Sequence, residues 1–176
     1  MNIKYIRIFD YNINPYIRCQ IFRINDSIIR FRDLHKSNQD ELKRFISFTK
    51  DTPFTCIVDY PFNKSFEGRY NGIHLKSKFL YKLKSLDNKL KIYSASCHNS
   101  EEIELANRLG VNYITISPVK SSKYSKNKNL GWIKFKELSR VANMPAYALG
   151  GMNPNKNDYK ISLLNGGMGI AGMKFF

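Results

Sequence analysis

Two features of the sequence predict an α/β fold, a compact (β/α)8 TIM barrel. Eight short apolar segments alternate with helical patterns, and two glycine-bearing segments close the chain. These are Ala146-Tyr147-Ala148-Leu149-Gly150-Gly151-Met152 and Gly166-Gly167-Met168-Gly169-Ile170-Ala171-Gly172. Each is an apolar run beside glycines, as where a buried parallel strand meets a tight loop. Glycine admits positive φ and lets backbone N–H groups approach an anion. Two such loops side by side can cradle a phosphate, and the loops after the last two strands of these barrels do so. Either segment alone reads equally well as an ordinary glycine turn; the pair, in this order, carries the expectation. The cradle is expected at Gly150, Gly151, Ala171 and Gly172.

In chain order the expected strands are 4–9, 27–32, 54–59, 72–75, 91–96, 113–119, 146–150 and 169–175. Most are β-branched or aromatic and apolar on both faces, as strands covered on both sides should be. Residues 38–49 set Leu42, Phe45 and Ile46 at the i, i+3, i+4 spacing of a helical face, widened by Phe48 and preceded by Gln39-Asp40-Glu41. Residues 100–109 open with a capping Ser100 and the acidic Glu101 and Glu102, and stop at Gly110. Residues 132–141 and 157–164 supply the last two helices. Right-handed crossovers put every strand C-terminus on one face. The 176 residues read as a single domain, against about 250 for a typical barrel. Two economies account for this: a reduced first connection at 10–26, which contains Pro15, and no eighth helix. The second would leave a flank on which a homodimer could form.

Hydrophobic content of 43% and aromatic content of 14% exclude general disorder. No apolar stretch approaches the roughly 20 residues needed to span a bilayer. The first residues enter a strand-like pattern without an h-region, so a cytoplasmic location and no membrane partner are expected. Three cysteines (Cys19, Cys56, Cys97) form no CxxC pair and no metal-ligand cluster. The net charge of +15 allows an alternative of another class, a basic nucleic-acid-binding domain. Yet the lysines are spread along the chain, and its Lys, Asn, Ile and Tyr all have AT-rich codons. Phosphorylated small molecules are the preferred partners over nucleic acid.

The residues at the strand ends resemble the thiamine-phosphate synthase family, which includes a thiazole tautomerase branch and domains fused behind Nudix hydrolases. The resemblance is carried by Gly72-Ile73-His74-Leu75, Ser96-Cys97-His98-Asn99-Ser100-Glu101-Glu102 and Leu109 through Val119. It continues through Leu130-Gly131-Trp132, Pro145 to Gly151, and Gly169 to Met173, and is weaker but collinear at Ile28 to Arg32. The wording around Ser96-Cys97-His98-Asn99, Pro118-Val119 and Leu130-Gly131-Trp132 is most similar to the Nudix-fused branch. The resemblance implies a single thiamine-phosphate synthase-like barrel domain and a transferase of thiamine biosynthesis. Its reaction condenses an aminopyrimidine diphosphate with a thiazole phosphate, giving thiamine phosphate and diphosphate. A thiazole tautomerase or a non-catalytic phosphate-binding paralogue is the alternative.

The family implies Mg2+ holding the diphosphate. Asp59 matches one of its metal aspartates, although a strand-end turn carboxylate would look the same. The second should follow the Gly72–Leu75 strand, where this chain has Lys76-Ser77-Lys78-Phe79, with Phe79 in the matching position. The lysines themselves could neutralise a diphosphate. The family's Gln-x-Arg-x-Lys pattern on the second strand is filled by Arg30, Arg32 and Leu34, with Lys36 as a substitute cation. Arg30 and Arg32 point the same way along a strand and need a ligand anion or an internal carboxylate; the ligand is favoured. Ser96 matches the serine that helps hold the diphosphate. His98 is either the proton-transfer group on that face or a helix-cap histidine bonded to loop backbone. Ser96, His98 and Arg32 are thus the catalytic candidates. His74, inside a strand, reads as a packed core residue. Cys97 would point away from its two neighbours, which argues against a Cys–His nucleophile. In the loop after the sixth strand, Ser122 and Ser125 are candidate hydroxyl donors, with Lys123 or Lys126 as the cation.

Overall fold

The computed structural model describes residues 3–9, 27–32, 39–49, 54–61, 70–87, 92–121, 129–154 and 156–173. Eight strands lie among these residues: β1 (Tyr5–Phe9), β2 (Ser27–Phe31), β3 (Thr55–Asp59), β4 (Gly72–Leu75), β5 (Ile92–Cys97), β6 (Tyr113–Ile116), β7 (Ala146–Leu149) and β8 (Gly169–Gly172). They pair in sequence order into one closed barrel, every pair for which register is defined being parallel. β8 closes on β1 through Tyr5↔Ile170, Ile6↔Ala171 and Arg7↔Gly172. Five helices lie among the described residues: α1 (Gln39–Thr49), α2 (Ser77–Leu80), α3 (Ser100–Leu109), α4 (Gly131–Val141) and α5 (Asp158–Leu164).

The strands are apolar on both faces because both are covered. Ile6, Ile8, Ile28, Ile57, Tyr113, Tyr147 and Ala171 form the cluster inside the barrel. The alternate residues, among them Ile29, Val58, Leu75, Ala95 and Ile114, pack beneath Phe45, Leu80, Ile103, Phe135 and Leu138 of the helices. Phe45, Ile103 and Phe135 are fully buried. Each contributes about 1.5–3 kcal/mol by leaving water.

Several details differ from the expectation. The sixth strand stops at Ile116 rather than residue 119, just ahead of Pro118, which has no N–H for a ladder. The cap of α3 is Asn99, not Ser100: its side chain accepts from the Glu102 N–H at 2.9 Å. Glu102 reaches back to the His98 N–H at 2.6 Å, so two otherwise unpaired donors are satisfied. The one-turn helix α2 was not anticipated. The first connection and the chain beyond Met173 lie outside the described residues, so the reduced connection and absent eighth helix stay expectations.

The two glycine segments do not both belong to the cradle end. Gly166, at φ +80°, ends the turn after α5, ahead of β8, at that strand's entry. A side chain at Gly169 would collide with the Lys4 carbonyl of β1's approach. Those glycines serve close backbone packing. Of the glycines in these two segments, Gly150, Gly151 and Gly172 stand at strand exits.

Candidate active site

Inward residues at the strand exits make a polar belt above the apolar barrel interior. β2 supplies Arg30, β3 ends on Asp59, β4 carries His74, and β5 carries Ser94 and Ser96. The register brings them together, pairing Asp59 with His74 and His74 with Ser94.

Arg30 is buried and places both Nε (2.8 Å) and an Nη nitrogen (2.7 Å) on Asp59 Oδ1. Lys76, just past β4, approaches the other oxygen, Oδ2, at 3.3 Å. The Asp59 side chain is 1% exposed and that of Lys76 37%. Of the two partners considered for Arg30, the structure therefore supplies the internal carboxylate. Arg32 lies one residue beyond β2, half-buried, and its Nη1 stands 3.6 Å from Met173 Sδ. Since β1 separates β2 from β8, this side chain crosses part of the barrel mouth toward the end of β8.

His74 is wholly buried and bonded at both nitrogens: Nδ1 to Ser94 Oγ at 2.8 Å and Nε2 to Ser96 Oγ at 2.7 Å. Burial pushes its pKa well below the ordinary value, and the charges of Arg30, Lys76 and Arg32 push the same way. The ring is neutral and has one N–H to donate. Ser94 Oγ also donates to the Ile73 carbonyl at 3.4 Å, so it accepts from Nδ1–H and Ser96 donates its hydroxyl to the bare Nε2. Ser94, missed in the sequence reading, was legible there as the polar residue two before Ser96 on the same strand face.

His98 is exposed, and its Nδ1 lies 2.6 Å from the Ser117 carbonyl, which can only accept. The proton is therefore on Nδ1 and, in the neutral ring, Nε2 keeps its lone pair. This bond to loop backbone leaves the second ring nitrogen available. Cys97 faces away into the outer core, where burial raises its pKa, and is no nucleophile.

At the other side of the mouth, Gly150 (φ +96°) and Gly151 (φ +66°) turn out of β7 in the left-handed region. They also lie against the loop after β6. A Cβ at Gly151 would stand 2.5 Å from the Ser121 carbonyl oxygen, and one at Gly150 2.9 Å from Pro118 Cα. The neighbouring exit carries the buried Ala171 and Gly172. Lys120 reaches Asp158, at 3.1 and 3.0 Å to its two oxygens, and Asp158 accepts the Asn153 N–H at 2.9 Å. This clamp on the glycine turn escaped the sequence reading; an aspartate opening the first turn of α5 was its signal. Ser122, Ser125 and Lys126, like Lys36 and Lys123, lie outside the described residues.

The family model for thiamine monophosphate synthase matches residues 23–173. The chain belongs to the thiamine monophosphate synthase family. It is 28% identical over 159 residues to an Aquifex aeolicus protein provisionally named a second thiamine-phosphate synthase, covering 89% of this chain and 82% of that one. It is 31% identical to the thiamine-phosphate synthase of Prochlorococcus marinus over 72% of this chain but only 38% of that longer protein. Among solved structures, thiamine phosphate pyrophosphorylase from Pyrococcus furiosus shares the fold with a TM-score of 0.74 at 18% identity, over 97% of this chain and 85% of that one. FabK from Thermotoga maritima shares it at 0.71 and 12% identity, over 97% and 58%. No helix among the described residues is long and apolar enough to cross a membrane.

The Mg2+ that the family implies does not fit the described residues around Asp59. Asp59, the expected ligand, already carries a guanidinium on one oxygen and an ammonium beside the other. Phe79 packs edge-on against Tyr60, with ring centres 4.9 Å apart, and offers no donor. No group of three or more His, Cys, Asp or Glu able to hold a metal occurs among the described residues.

Proposed function

We propose that this chain catalyses the condensation of an aminopyrimidine diphosphate with a thiazole phosphate, forming thiamine phosphate and releasing diphosphate. The observation that carries this reading is the belt of Arg30, Arg32, Lys76 and Ser96 at the strand exits, facing the glycine turn of β7, in a chain of this family. Breaking the C–O bond to the leaving group builds negative charge on the diphosphate. Fixed cations in a partly dehydrated site stabilise that charge without reorganising. Among the described residues, Arg32 and Lys76 are the cations with access to the mouth. Arg30 is held beneath them by Asp59, and Ser96 stands at the same end, its hydroxyl fixed by His74. The thiazole phosphate would sit on the backbone N–H groups around Gly150, Gly151, Ala171 and Gly172, as phosphates do on glycine-rich turns. The family resemblance assigns contacts with both substrates to Ser122, Ser125 and Lys126, in the chain after β6.

The test is direct. Purified protein incubated with both substrates should form thiamine phosphate, read as thiochrome fluorescence after oxidation, and its gene should restore growth of a thiamine auxotroph lacking the synthase. Absence of product together with absence of growth would refute the synthase reading.

His98 supports a second reading. A histidine with Nδ1 protonated and Nε2 free can move a proton on a thiazole ring, which is tautomerase chemistry. His98→Asn would then abolish proton exchange on a thiazole phosphate while leaving phosphate binding intact.

A further inference from the structure

The carboxylate that the family resemblance assigns to a metal ion is ion-paired with side-chain cations on both oxygens, although only Oδ1 accepts hydrogen bonds. A hexacoordinate Mg2+ demands oxygen donors at about 2.0–2.1 Å in a near-octahedral set. Asp59 Oδ1 accepts two nitrogens of Arg30, and Oδ2, the oxygen on the Lys76 side, has the ammonium 3.3 Å away. A dication on Oδ2 would sit against two fixed positive charges in a place where water screens poorly. The neighbouring position that could supply a second carboxylate is Phe79, engaged with Tyr60 and with the Lys78 ammonium 5.1 Å from its ring centre. Lys76 follows β4 directly, its ammonium stands 3.3 Å from Asp59 Oδ2, a buried oxygen that accepts no hydrogen bond, and its side chain is more than a third exposed. An ammonium in that position offers three donors to phosphate oxygens while keeping one contact with Asp59.

We propose that Lys76 supplies, as a built-in cation, the charge that a divalent metal supplies elsewhere, so that this chain binds a diphosphate group without metal. Asp59 is then the counter-ion that positions Arg30 and Lys76, and Arg32 is the second direct contact. The proposal rests on the reading of this end of the barrel as a diphosphate site.

The experiment uses inorganic diphosphate as the probe and calorimetric titration of the full chain, in EDTA and separately with excess Mg2+. The parent should bind in EDTA, with affinity that added Mg2+ fails to raise. Lys76→Ala and Lys76→Met, each shown to melt as the parent does, should bind at least about tenfold more weakly in EDTA. Binding that needs Mg2+, binding absent in both conditions, or undiminished binding by a folded Lys76→Met protein would each overturn the proposal. Thiamine-phosphate formation is measured separately with and without EDTA. Diphosphate binding in EDTA without any product would sink the synthase reading and leave this inference standing; turnover accompanied by diphosphate binding that needs Mg2+ would do the reverse.

Discussion

Arg30 and Asp59 show how one residue type can satisfy two different demands. The sequence requires that an arginine on a barrel strand meet an anion, and offers no way to tell a bound ligand from an internal carboxylate 29 positions away. The fold decides it by ending β3 beside β2. Breaking a buried pair from one side leaves an uncompensated charge and costs about 3–5 kcal/mol, whereas replacing both partners with apolar residues of similar volume costs far less. Asp59→Ala should therefore destabilise strongly in urea unfolding, and Arg30→Met/Asp59→Leu should recover much of the loss. Simple additivity of the single changes would show that the two are uncoupled. His74 yields a second prediction at this scale. Its folded pKa lies below the ordinary 6.5, so at acid pH the unfolded chain binds a proton that the folded chain refuses. Its contribution is complete above about pH 6.5 and is lost as pH falls toward the folded value, by at most about 1.4 kcal/mol per pH unit. Melting temperature should drop from neutral toward about pH 5. His74→Leu, though less stable throughout because Ser94 and Ser96 lose their partner, should show a shallower drop. Parallel curves for the two proteins would remove His74 as the source.

Elements were more legible than their ends. Period and composition marked all eight strands, because a parallel strand covered on both sides must be a short apolar run. The terminal residues depend on what lies across the chain. β6 yields to Pro118, and α3 starts at Asn99 because its side chain, rather than that of Ser100, reaches the Glu102 N–H. Asn99→Ala should cost about 1 kcal/mol in chemical denaturation, the usual value of a lost N-cap. A change below about 0.3 kcal/mol would mean that the Glu102 contact to His98 N–H holds the helix start unaided. The glycine turn was found by its residues, but half its reason was hidden. Positive φ could be anticipated; the approach of Ser121 and Pro118 could not, since it needs the β6 and β7 exits to be neighbours. Gly151→Val therefore strains the backbone and meets the Ser121 carbonyl at once. It should lower stability as well as phosphate affinity, measured by melting temperature and by titration with a thiazole phosphate. Unchanged melting would show that the loop after β6 moves aside freely.

At the scale of the whole molecule, the barrel exists only if its first and last strands meet, and the sequence marks that seam with small residues and one tyrosine. β8 (Gly169-Ile170-Ala171-Gly172) has only one bulky side chain, and Gly169 lets the backbone pass beside the Lys4 carbonyl, which accepts the Ile170 N–H at 3.2 Å. From inside the barrel, Tyr147 of β7 spans the gap and donates its hydroxyl to the Ile3 carbonyl at 3.0 Å. Burial raises the pKa of that hydroxyl, which is what a buried donor with a neutral acceptor requires. The same seam aligns the Gly172 exit with the Gly150–Gly151 turn and brings Met173 within reach of Arg32, so closure and the assembly of the proposed phosphate sites are one event. Losing the tyrosine hydroxyl alone leaves one buried acceptor unpaired, and Tyr147→Phe should cost about 1–3 kcal/mol. Gly169→Val, by contrast, forces β8 away from β1 and should abolish both the cooperative melt and phosphate binding. Tyr147→Phe should melt earlier but bind phosphate as the parent does. If Tyr147→Phe loses phosphate affinity in step with stability, the ring is positioning the cradle as well as the seam. If Gly169→Val folds with parental stability, closure does not depend on the close passage of β8 beside Lys4.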